Sequence, residues 1–476
     1  MQSRVLHPLI AGRERDGGPL VEIRSPFDGR VVGRHTLARA EDVEDALAAA
    51  HAARSAARST STALRAAVLD RLAARVRANS DELAELITLE SGKPITFARA
   101  EVTRAALTLE LCAANARTFC VATPPIDVDP RGQGRIALTV RAPRGPLAAI
   151  TPFNFPLNLV AHKLAPAIAV GAPFVLKPAP QCPLTALEFA RWIVEAEWPA
   201  EAVNVTPCGP PLAQSLVTDP RIAVLSFTGS DAVGWKLASL AGGKHTVLEL
   251  GGAAPCIIDD GVEFDALLEP LALSAFGYSG QVCIKTQRIL APRARCEEFA
   301  ARLAAVAQAL PCGDPMLANT VVGPLIDEAS ALRVERWIDE ARAAGARVLC
   351  GGERTGAVVR PVVIVDAPRS SRVVCDEVFG PVVVVEAHDG FDDALRRAND
   401  SRFGLQAGVY TRELAHALAA QRELEYGAVI VNDTPTLRLD ALAYGGVRDS
   451  GVGREGPVWA MGEYTQPRVL VLRGLE

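Results

Sequence analysis

The sequence has no unbroken apolar run as long as the roughly 18 residues that a membrane-spanning helix needs. Its N-terminal apolar stretch is too short for the core of a signal peptide and is followed by charged residues. The sequence also lacks the basic excess typical of nucleic-acid-binding proteins, since 55 acidic residues outnumber 50 Lys and Arg. These absences predict a soluble, cytoplasmic protein that binds neither membranes nor nucleic acid.

The cysteines form no recognisable metal or disulfide framework. There are ten, with no CxxC pair and no clustering with the seven histidines. This spacing gives no indication of a metal site and is typical of a reducing compartment. The glycine-rich turns likewise contain no GxGxxG dinucleotide fingerprint.

Hydrophobic periodicity predicts an α/β protein. The 476 residues suggest two to three domains at roughly 150 residues each. An extended N-terminal piece precedes helices predicted at 41–57, 61–78, 81–89 and 97–118. Short apolar strands predicted at 147–150, 173–176, 203–206 and 223–227 then alternate with helices. Such alternation predicts a parallel sheet whose carboxyl ends bind a ligand, here a candidate nucleotide. A second α/β region is predicted to begin at Thr246.

A β-prone run at 136–140 stands alone between Pro- and Gly-rich flanks. It is interpreted either as an arm that pairs with another subunit or as a surface hairpin. The strand-like end of the chain, 467–472, is its candidate partner.

Cys283 lies in the segment FGYSGQVCIKTQR (276–288), where small neighbours allow a substrate to approach the sulfur. Lys285 and Arg288 follow it, and nearby cations favour a thiolate. We interpret Cys283 as a nucleophile. The alternative is a buried cysteine that acts as a small hydrophobe.

Four further signals each have a chemical and an ordinary interpretation. Asn154, after the strand LAAI, is a candidate oxyanion donor or a turn residue. Glu249 in LELGG is a candidate general base with a raised pKa, or a surface glutamate. Lys177 at a strand end suits a ribose or phosphate but is equally a solvated lysine. The turn 229–234 opens a helix and is either a pyrophosphate site or an ordinary connection.

Seven motifs together resolve these alternatives. In order along the chain they are TPFNFPL, LKPAP, FTGS, LELGG, GQVCIKTQR, EVFGP and YGGVRDSGVGREG. Their order and spacing resemble the aldehyde dehydrogenase superfamily over nearly the whole chain. The resemblance implies an α/β fold with a Rossmann-type dinucleotide-binding domain, an α/β catalytic domain and a small β oligomerisation arm. The implied ranges are 1–123 with 144–248, 249–433, and 124–143 with 457–476, respectively.

The resemblance also implies a reaction. Cys283 would attack an aldehyde, Asn154 and the cysteine's backbone N–H would hold the oxyanion, and Glu249 would activate the water that hydrolyses the thioester. The cofactor would be NAD or NADP, and the assembly a homodimer or homotetramer. The residues implied to bind the cofactor are Thr151, Pro152, Phe153, Lys177, Ala179, Pro180, Gly229, Ser230, Gly234, Leu250, Glu377 and Phe379.

Pro180 marks a departure from the family pattern. Many NAD-preferring members carry a glutamate at this position, which repels the 2′-phosphate of NADP, so the choice of dinucleotide stays open.

The substrate is predicted to be a small, anionic aldehyde. The residues implied at its site are Arg104, Phe155, Arg438 and Tyr444. Arginine binds carboxylate, phosphate or phosphonate groups bidentately. The motif YGGVRDSG resembles the branch that oxidises lactaldehyde, semialdehydes, glyceraldehyde-3-phosphate and phosphonoacetaldehyde.

Three other functions share parts of this pattern. A thiol hydrolase needs a histidine base, and no histidine lies in a motif with Cys283. A CoA-acylating semialdehyde dehydrogenase typically lacks the glutamate that Glu249 supplies. A catalytically silent binding or structural protein of the same fold would not need Asn154, Glu249 and Cys283 together.

Overall fold

The computed structural model describes residues 5–119 and 122–474; the parts of the predicted ranges 1–123 and 457–476 beyond these limits lie outside the described residues. The N-terminal piece is extended, as predicted, and contains five short strands. They are β1 (Val5–Leu6), β2 (Leu9–Ile10), β3 (Arg13–Glu14), β4 (Leu20–Arg24) and β5 (Val31–Thr36). Strands β1, β5 and β4 form a separate three-stranded sheet.

A helical layer follows. Its helices are α1 (Ala40–Ala52), α2 (Arg54–Ser59), α3 (Thr62–Ala78), α4 (Ser80–Ser91) and α5 (Ile95–Thr118). The Ser61 hydroxyl accepts from the backbone N–H of Leu64 and so caps α3, while α4 ends at Gly92 in the left-handed conformation (φ 72°). Buried leucines of α3 and α5 pack in one core with residues of the strands that follow, so these helices cover that part of the sheet.

The middle of the chain alternates strands and helices as predicted. Its elements are β6 (Arg135–Pro143), β7 (Leu147–Ile150), α6 (Asn158–Val170), β8 (Phe174–Lys177), α7 (Pro183–Glu195), β9 (Val203–Val205), α8 (Pro210–Thr218), β10 (Val224–Thr228), α9 (Asp231–Ala241) and β11 (His245–Glu249).

The remaining elements include the strands of a second large sheet. They are β12 (Ala254–Ile258), α10 (Asp265–Phe276), β13 (Thr286–Pro292), α11 (Cys296–Ala309), α12 (Glu328–Ala343), β14 (Arg347–Cys350), β15 (Arg354–Thr355), β16 (Val358–Val359), β17 (Val362–Val365), α13 (Arg372–Cys375), β18 (Val382–His388), α14 (Phe391–Asn399), β19 (Phe403–Gly404), β20 (Gln406–Tyr410), α15 (Leu414–Glu423), β21 (Ala428–Val431), β22 (Val447–Arg448), β23 (Gly451–Val452), α16 (Pro457–Glu463) and β24 (Thr465–Arg473).

The first large sheet has the strand order β23-β11-β10-β7-β8-β9-β2-β3. Strands β7 to β11 are parallel to one another, which the alternation of strands and helices predicts for β7 to β10. From β7 the chain adds strands outward through β8 and β9, then returns to the other side of β7 with β10 and β11. The reversal creates a topological switch point between β7 and β10, where ligands bind at the carboxyl ends of the strands.

The strand that carries LELGG corrects one prediction. The sequence groups it with the second α/β region, but β11 pairs in parallel with β10, from Val224 opposite His245 to Thr228 opposite Glu249. It therefore belongs to the first sheet. The local pattern of a strand does not reveal which neighbour it pairs with across a helical crossover.

The second large sheet has the order β14-β17-β18-β13-β12-β20-β21, and β14 is its one antiparallel strand. Strands β6 and β24 form a separate two-stranded antiparallel sheet, from Pro143 opposite Thr465 to Arg135 opposite Arg473, so the expected pairing of the terminal strand is present. None of the described helices combines the length and the hydropathy needed to cross a membrane.

Candidate active site

A cavity of about 910 Å³ lies where the carboxyl ends of the first sheet face the amino ends of strands β13 and β18 of the second. Its walls include the loops after β7, β10 and β11 and the segments that precede β13 and β18. Three residues predicted to carry the chemistry, Asn154, Glu249 and Cys283, all line it. The fold thus brings together side chains that are far apart in sequence.

The backbone before Cys283 is tightly constrained. Tyr278, Ser279 and Gly280 are left-handed in succession (φ 53°, 55° and 67°). The Ser279 hydroxyl donates to the Gly323 carbonyl at 2.7 Å, and a Cβ on Gly280 would lie 2.3 Å from the Gly380 carbonyl oxygen. The Gln281 side chain accepts from the backbone N–H of Ile326 at 2.8 Å. These contacts fix the position of the nucleophile segment, and Gly280 is required there.

The Cys283 sulfur lies 2.9 Å from the hydroxyl of Tyr444. Burial raises the pKa of the thiol to about 12, so the site must supply donors if a thiolate is to form. Lys285 instead donates to the Val382 carbonyl at 2.6 Å, and Arg288 pairs with Glu386 at 2.6 Å. Both cations that the sequence offered as thiolate partners are therefore held by other groups.

Asn154 links the first sheet to the nucleophile segment. Its side-chain NH₂ donates to the Gln281 carbonyl at 2.9 Å, and the residue is 4% exposed. An amide carries two N–H donors, so the second N–H is available to a substrate oxygen beside Cys283. This placement suits an oxyanion donor better than a simple turn residue.

Glu249 ends β11 and is buried, at 3% exposed. Neither of its carboxylate oxygens has a hydrogen-bond partner among the described residues. Burial, reinforced by the Glu455 carboxylate, raises the pKa of Glu249 well above its usual range. Burial thus disfavours the carboxylate form of Glu249, which is the direction that the prediction of a raised pKa requires.

Glu455 lies in the same cavity, and its pKa is shifted in the opposite direction. Its carboxylate accepts from Lys163 at 2.9 Å and from Arg438 at 3.2 Å, and both it and Lys163 are buried. Although burial acts against ionisation, these cations, Lys163 foremost, lower the pKa of Glu455 to about 2. The pKa values of two buried carboxyl groups in one cavity are thus shifted in opposite directions because their neighbours differ.

The two predicted substrate arginines both reach the cavity, but each already has an internal partner. Arg104, on α5, binds Asp440 with two hydrogen bonds of 2.9 and 2.7 Å. Arg438 contacts Glu455, and its guanidinium lies 3.7 Å from the centre of the Tyr444 ring. Phe155 packs between Arg104 and Lys93, whose ammonium lies 3.7 Å from its ring centre.

The sequence analysis did not predict the buried charged and polar partners around Arg104 and Arg438, which we call the charge layer. They are Lys93, Glu101, His162, Lys163, Asp440 and Glu455. The His-Lys pair inside the otherwise apolar run of α6 was the one available signal, because charged residues there need buried partners.

The other end of the cavity has features that fit a dinucleotide. Ser230 immediately precedes the first residue of α9, so the backbone N–H groups of the first turn of α9 point toward the cavity. A Cβ on Gly234 would lie 2.3 Å from Leu250, which shows how closely α9 approaches the sheet. Glu377 accepts from the Gly252 N–H at 3.0 Å, and burial raises the pKa of Glu377 to about 7. The rings of Phe379 and Phe153 meet edge to face at 5.9 Å.

Most of the predicted cofactor residues line the cavity: Pro152, Phe153, Gly229, Ser230, Leu250, Glu377 and Phe379. The others are absent from its walls and lie at or just beyond strand ends of the first sheet or within α9: Thr151, Lys177, Ala179, Pro180 and Gly234. Lys177 is half-buried at the end of β8, and burial lowers its pKa.

Arg402 joins the two large sheets across this end of the cavity, a feature that the sequence did not reveal. It pairs with Asp231 on α9, with Asp376 at 3.2 Å and with Asp449 at 3.2 Å. One cation thus compensates three carboxylates beside the N-terminus of α9.

Comparison with known proteins gives consistent results. The model of the aldehyde dehydrogenase family matches residues 13–470. Aspartate-semialdehyde dehydrogenase 1 of Pseudomonas canavaninivorans is 37% identical over 457 residues, which are 96% of this chain and 97% of that protein.

Two solved structures are similar over their full length. Aldehyde dehydrogenase 21 of Physcomitrella patens, in complex with the reaction product succinate, has a TM-score of 0.97 and 37% identity, covering 100% of this chain and 99% of that one. Glyceraldehyde-3-phosphate dehydrogenase GapN of Methanocaldococcus jannaschii, complexed with NADP, has a TM-score of 0.92 and 30% identity, covering 97% and 100%.

Proposed function

Because the chain belongs to the aldehyde dehydrogenase family, whose members oxidise aldehydes with NAD or NADP, we propose that Cys283, Asn154 and Glu249 carry this reaction here. The observation that supports this assignment is their convergence: the thiol, the amide and the buried carboxyl group line one cavity. A nucleophile, an oxyanion donor and a base are the groups that the chemistry needs.

Cys283 attacks the aldehyde carbon as a thiolate, having lost its proton to solvent. The carbonyl oxygen becomes the oxyanion of a thiohemiacetal and accepts from Asn154 and from the backbone N–H of Cys283. The chemistry that the dinucleotide supplies when bound is the acceptance of a hydride. A thioester on Cys283 remains, and water hydrolyses it to the carboxylate and the free thiol.

Glu249, after losing its own proton to solvent, removes the proton from that water. Its burial supports the role, because a carboxylate with a raised pKa is a stronger base once it has lost its proton. The ionised Glu455, held by Lys163, keeps a fixed negative charge close to it. Glu249 also favours hydrolysis over the alternative of acyl transfer to CoA, in which water must be excluded.

The substrate is a small anionic aldehyde, and the ion pairs of the charge layer support this assignment. Lys93 pairs with Glu101, Arg104 with Asp440, and Lys163 with Glu455. Arg438 contacts both Glu455 and Asp440, so these two carboxylates face three cations. An anionic group on the substrate would add a further partner for Arg438.

The named relatives have substrates or products of the same kind, a semialdehyde of aspartate and the dicarboxylate succinate. Carboxylate, sulfonate and phosphate groups share the chemistry that an arginine recognises.

Turnover of paired substrates tests this function. We expect reduction of NAD or NADP with both succinate semialdehyde and uncharged butanal, with a higher kcat/KM for the anion. Arg438→Gln should reduce this preference. An equal kcat/KM of wild type and variant on the anion, with no gain on butanal, would refute the anionic substrate. No turnover of any aldehyde by folded protein would favour a silent binding protein, and acyl-CoA formation would favour the CoA-acylating alternative.

We further infer a homodimer or homotetramer in the cytoplasm. The two-stranded sheet of β6 and β24 leaves Ile136, Val469, Leu470 and Val471 between 50% and 66% exposed, and a second copy of the chain would cover them. The nine described cysteines are all free thiols, which suits a reducing compartment. Light scattering of Val469→Glu, expected to dissociate, tests the assembly; an unchanged mass would contradict it.

A further inference from the structure

The hydroxyl of Tyr444 lies 2.9 Å from the sulfur of Cys283. Tyr444 is 6% exposed, and its backbone is held by a reciprocal pair of hydrogen bonds with Glu455 of 3.0 and 2.7 Å. The bridge fixes the backbone of Tyr444, and burial leaves its ring little room to move. Around the pair, Val282, Ile284 and Leu405 provide only apolar side chains.

Arg438 lies against the face of the Tyr444 ring. Its guanidinium is 3.7 Å from the centre of the Tyr444 ring, within the range of a cation–π contact. A cation over the ring stabilises negative charge on the phenol oxygen, which makes the O–H a stronger hydrogen-bond donor.

We infer that Tyr444 is a positioning residue that donates its O–H to the thiolate of Cys283, and that Arg438 strengthens this donation through the ring. In the resting pair either the thiol or the phenol can donate. A thiolate has no proton, so only Tyr444 can donate to it. Glu249 and Glu377 disfavour a thiolate at Cys283 when they are ionised, and Arg438 is the cation that opposes them.

A hydrogen bond from Tyr444 makes each Cys283 thiolate less nucleophilic. It also lowers the pKa of the thiol and so increases the fraction of protein molecules that carry the thiolate. A hydrogen bond to a charged acceptor shifts the pKa by about one to two units. Each unit by which the pKa falls raises the thiolate fraction about tenfold. It also lowers the nucleophilicity of the thiolate about threefold, for a Brønsted coefficient near 0.45. The net gain is about threefold to tenfold when the pH lies below the thiol pKa.

The inference rests on the proposed role of Cys283 as the nucleophile, but its test needs neither aldehyde nor dinucleotide. The rate at which iodoacetamide alkylates Cys283 in the full-length protein is followed by mass spectrometry of the peptide that contains it, from pH 7 to pH 10. Failure to oxidise any aldehyde would therefore leave this measurement intact.

Tyr444→Phe should slow alkylation about threefold to tenfold at pH 8. Phenylalanine keeps the ring and its contact with Arg438 and can only widen access to the sulfur, so a steric effect would speed the reaction. An alkylation rate equal to or above that of wild type would overturn the inference.

Tyr426→Phe is the matched control. It also removes a buried hydroxyl, one that donates to the Ala398 carbonyl at 2.7 Å, but Tyr426 does not line the cavity. Its alkylation rate should equal that of wild type. As a second variant, Arg438→Gln keeps Tyr444 and should slow alkylation less than Tyr444→Phe; a rate equal to that of wild type would remove Arg438 from the inferred role.

Discussion

Asn154 and Gln281 join the two halves of the cavity, because the side-chain amide of Asn154 donates to the main-chain carbonyl of Gln281 at 2.9 Å. The acceptor lies two residues before Cys283, so one hydrogen bond sets the distance between the oxyanion donor and the nucleophile. The loop after β7 and the segment before β13 thus act as a unit.

Asn154→Ala removes both this link and the donor. We expect kcat/KM to fall by about 10²- to 10³-fold, the usual cost of losing an oxyanion donor. Affinity for the dinucleotide, measured by fluorescence titration, should change little. A loss of less than threefold in kcat/KM would show that the oxyanion is stabilised elsewhere.

Glu249→Gln separates the two halves of the reaction. Glutamine keeps the shape of the neutral acid but cannot accept a proton from water, so thioester formation should proceed and its hydrolysis should slow by about 10²-fold or more. Rapid mixing with aldehyde should show a burst of reduced dinucleotide close to one per active site, followed by slow turnover. Absence of the burst would contradict the assignment of Glu249 to hydrolysis.

The strands, and the segments that hold the three candidate reacting groups, were predictable from sequence for a physical reason. Parallel strands are buried on both faces, so runs such as 147–150 and 174–176 are wholly apolar and stand out against their surroundings. Cys283, Asn154 and Glu249 each lie in a short segment whose glycines or prolines fix the local backbone. Local sequence therefore carries most of the information about where they lie.

The charge layer was not predictable, because its pairs are long-range. Lys163 and Glu455 are 292 positions apart, and Arg104 and Asp440 are 336 apart. The prediction that Arg104 and Arg438 reach the cavity agrees with the structure, but nothing local indicates that carboxylates already hold them. Lys285 shows the opposite case. It is close to Cys283 in sequence and was expected to favour the thiolate, but its ammonium donates to the backbone carbonyl of Val382 instead.

Glu377 makes stability depend on pH. Burial raises its pKa from 4.5 to about 7, so the folded state retains a proton that the unfolded chain loses. The stabilisation is complete below about pH 4.5 and is lost as the pH rises to 7, about 3 kcal/mol at 1.36 kcal/mol per unit. The melting temperature of Glu377→Gln should fall less between pH 5 and pH 7 than that of wild type.

The exposed Glu423 provides the control for that experiment. Glu423→Gln should follow the wild-type curve. Parallel curves for wild type and Glu377→Gln would mean that Glu377 titrates normally in the folded protein.

Arg402→Gln should weaken dinucleotide binding. Without the cation, Asp231, Asp376 and Asp449 present uncompensated negative charge next to α9, where an anionic diphosphate would bind. Partly exposed ion pairs contribute up to about 1 kcal/mol each, so we expect the Kd to rise about threefold to tenfold at low ionic strength. The effect should shrink in 0.5 M salt because the charges are screened.

The exposed Arg422 on α15 gives a charge-matched control, and Arg422→Gln should leave the Kd unchanged. If both variants shift the Kd equally, net charge rather than the position of Arg402 is responsible.

We predict that the residue at position 180 controls how strongly the site discriminates between NAD and NADP. It is exposed just beyond Lys177 at the end of β8, and as a proline it offers no carboxylate to accept from a ribose hydroxyl or to repel a 2′-phosphate. Pro180→Glu should therefore raise the ratio of the Kd for NADP to the Kd for NAD about tenfold, through charge repulsion at close range. Pro180→Gln, which changes the backbone in the same way without the charge, should leave that ratio near the wild-type value. Equal ratios in the Glu and Gln variants would show that position 180 does not face the ribose.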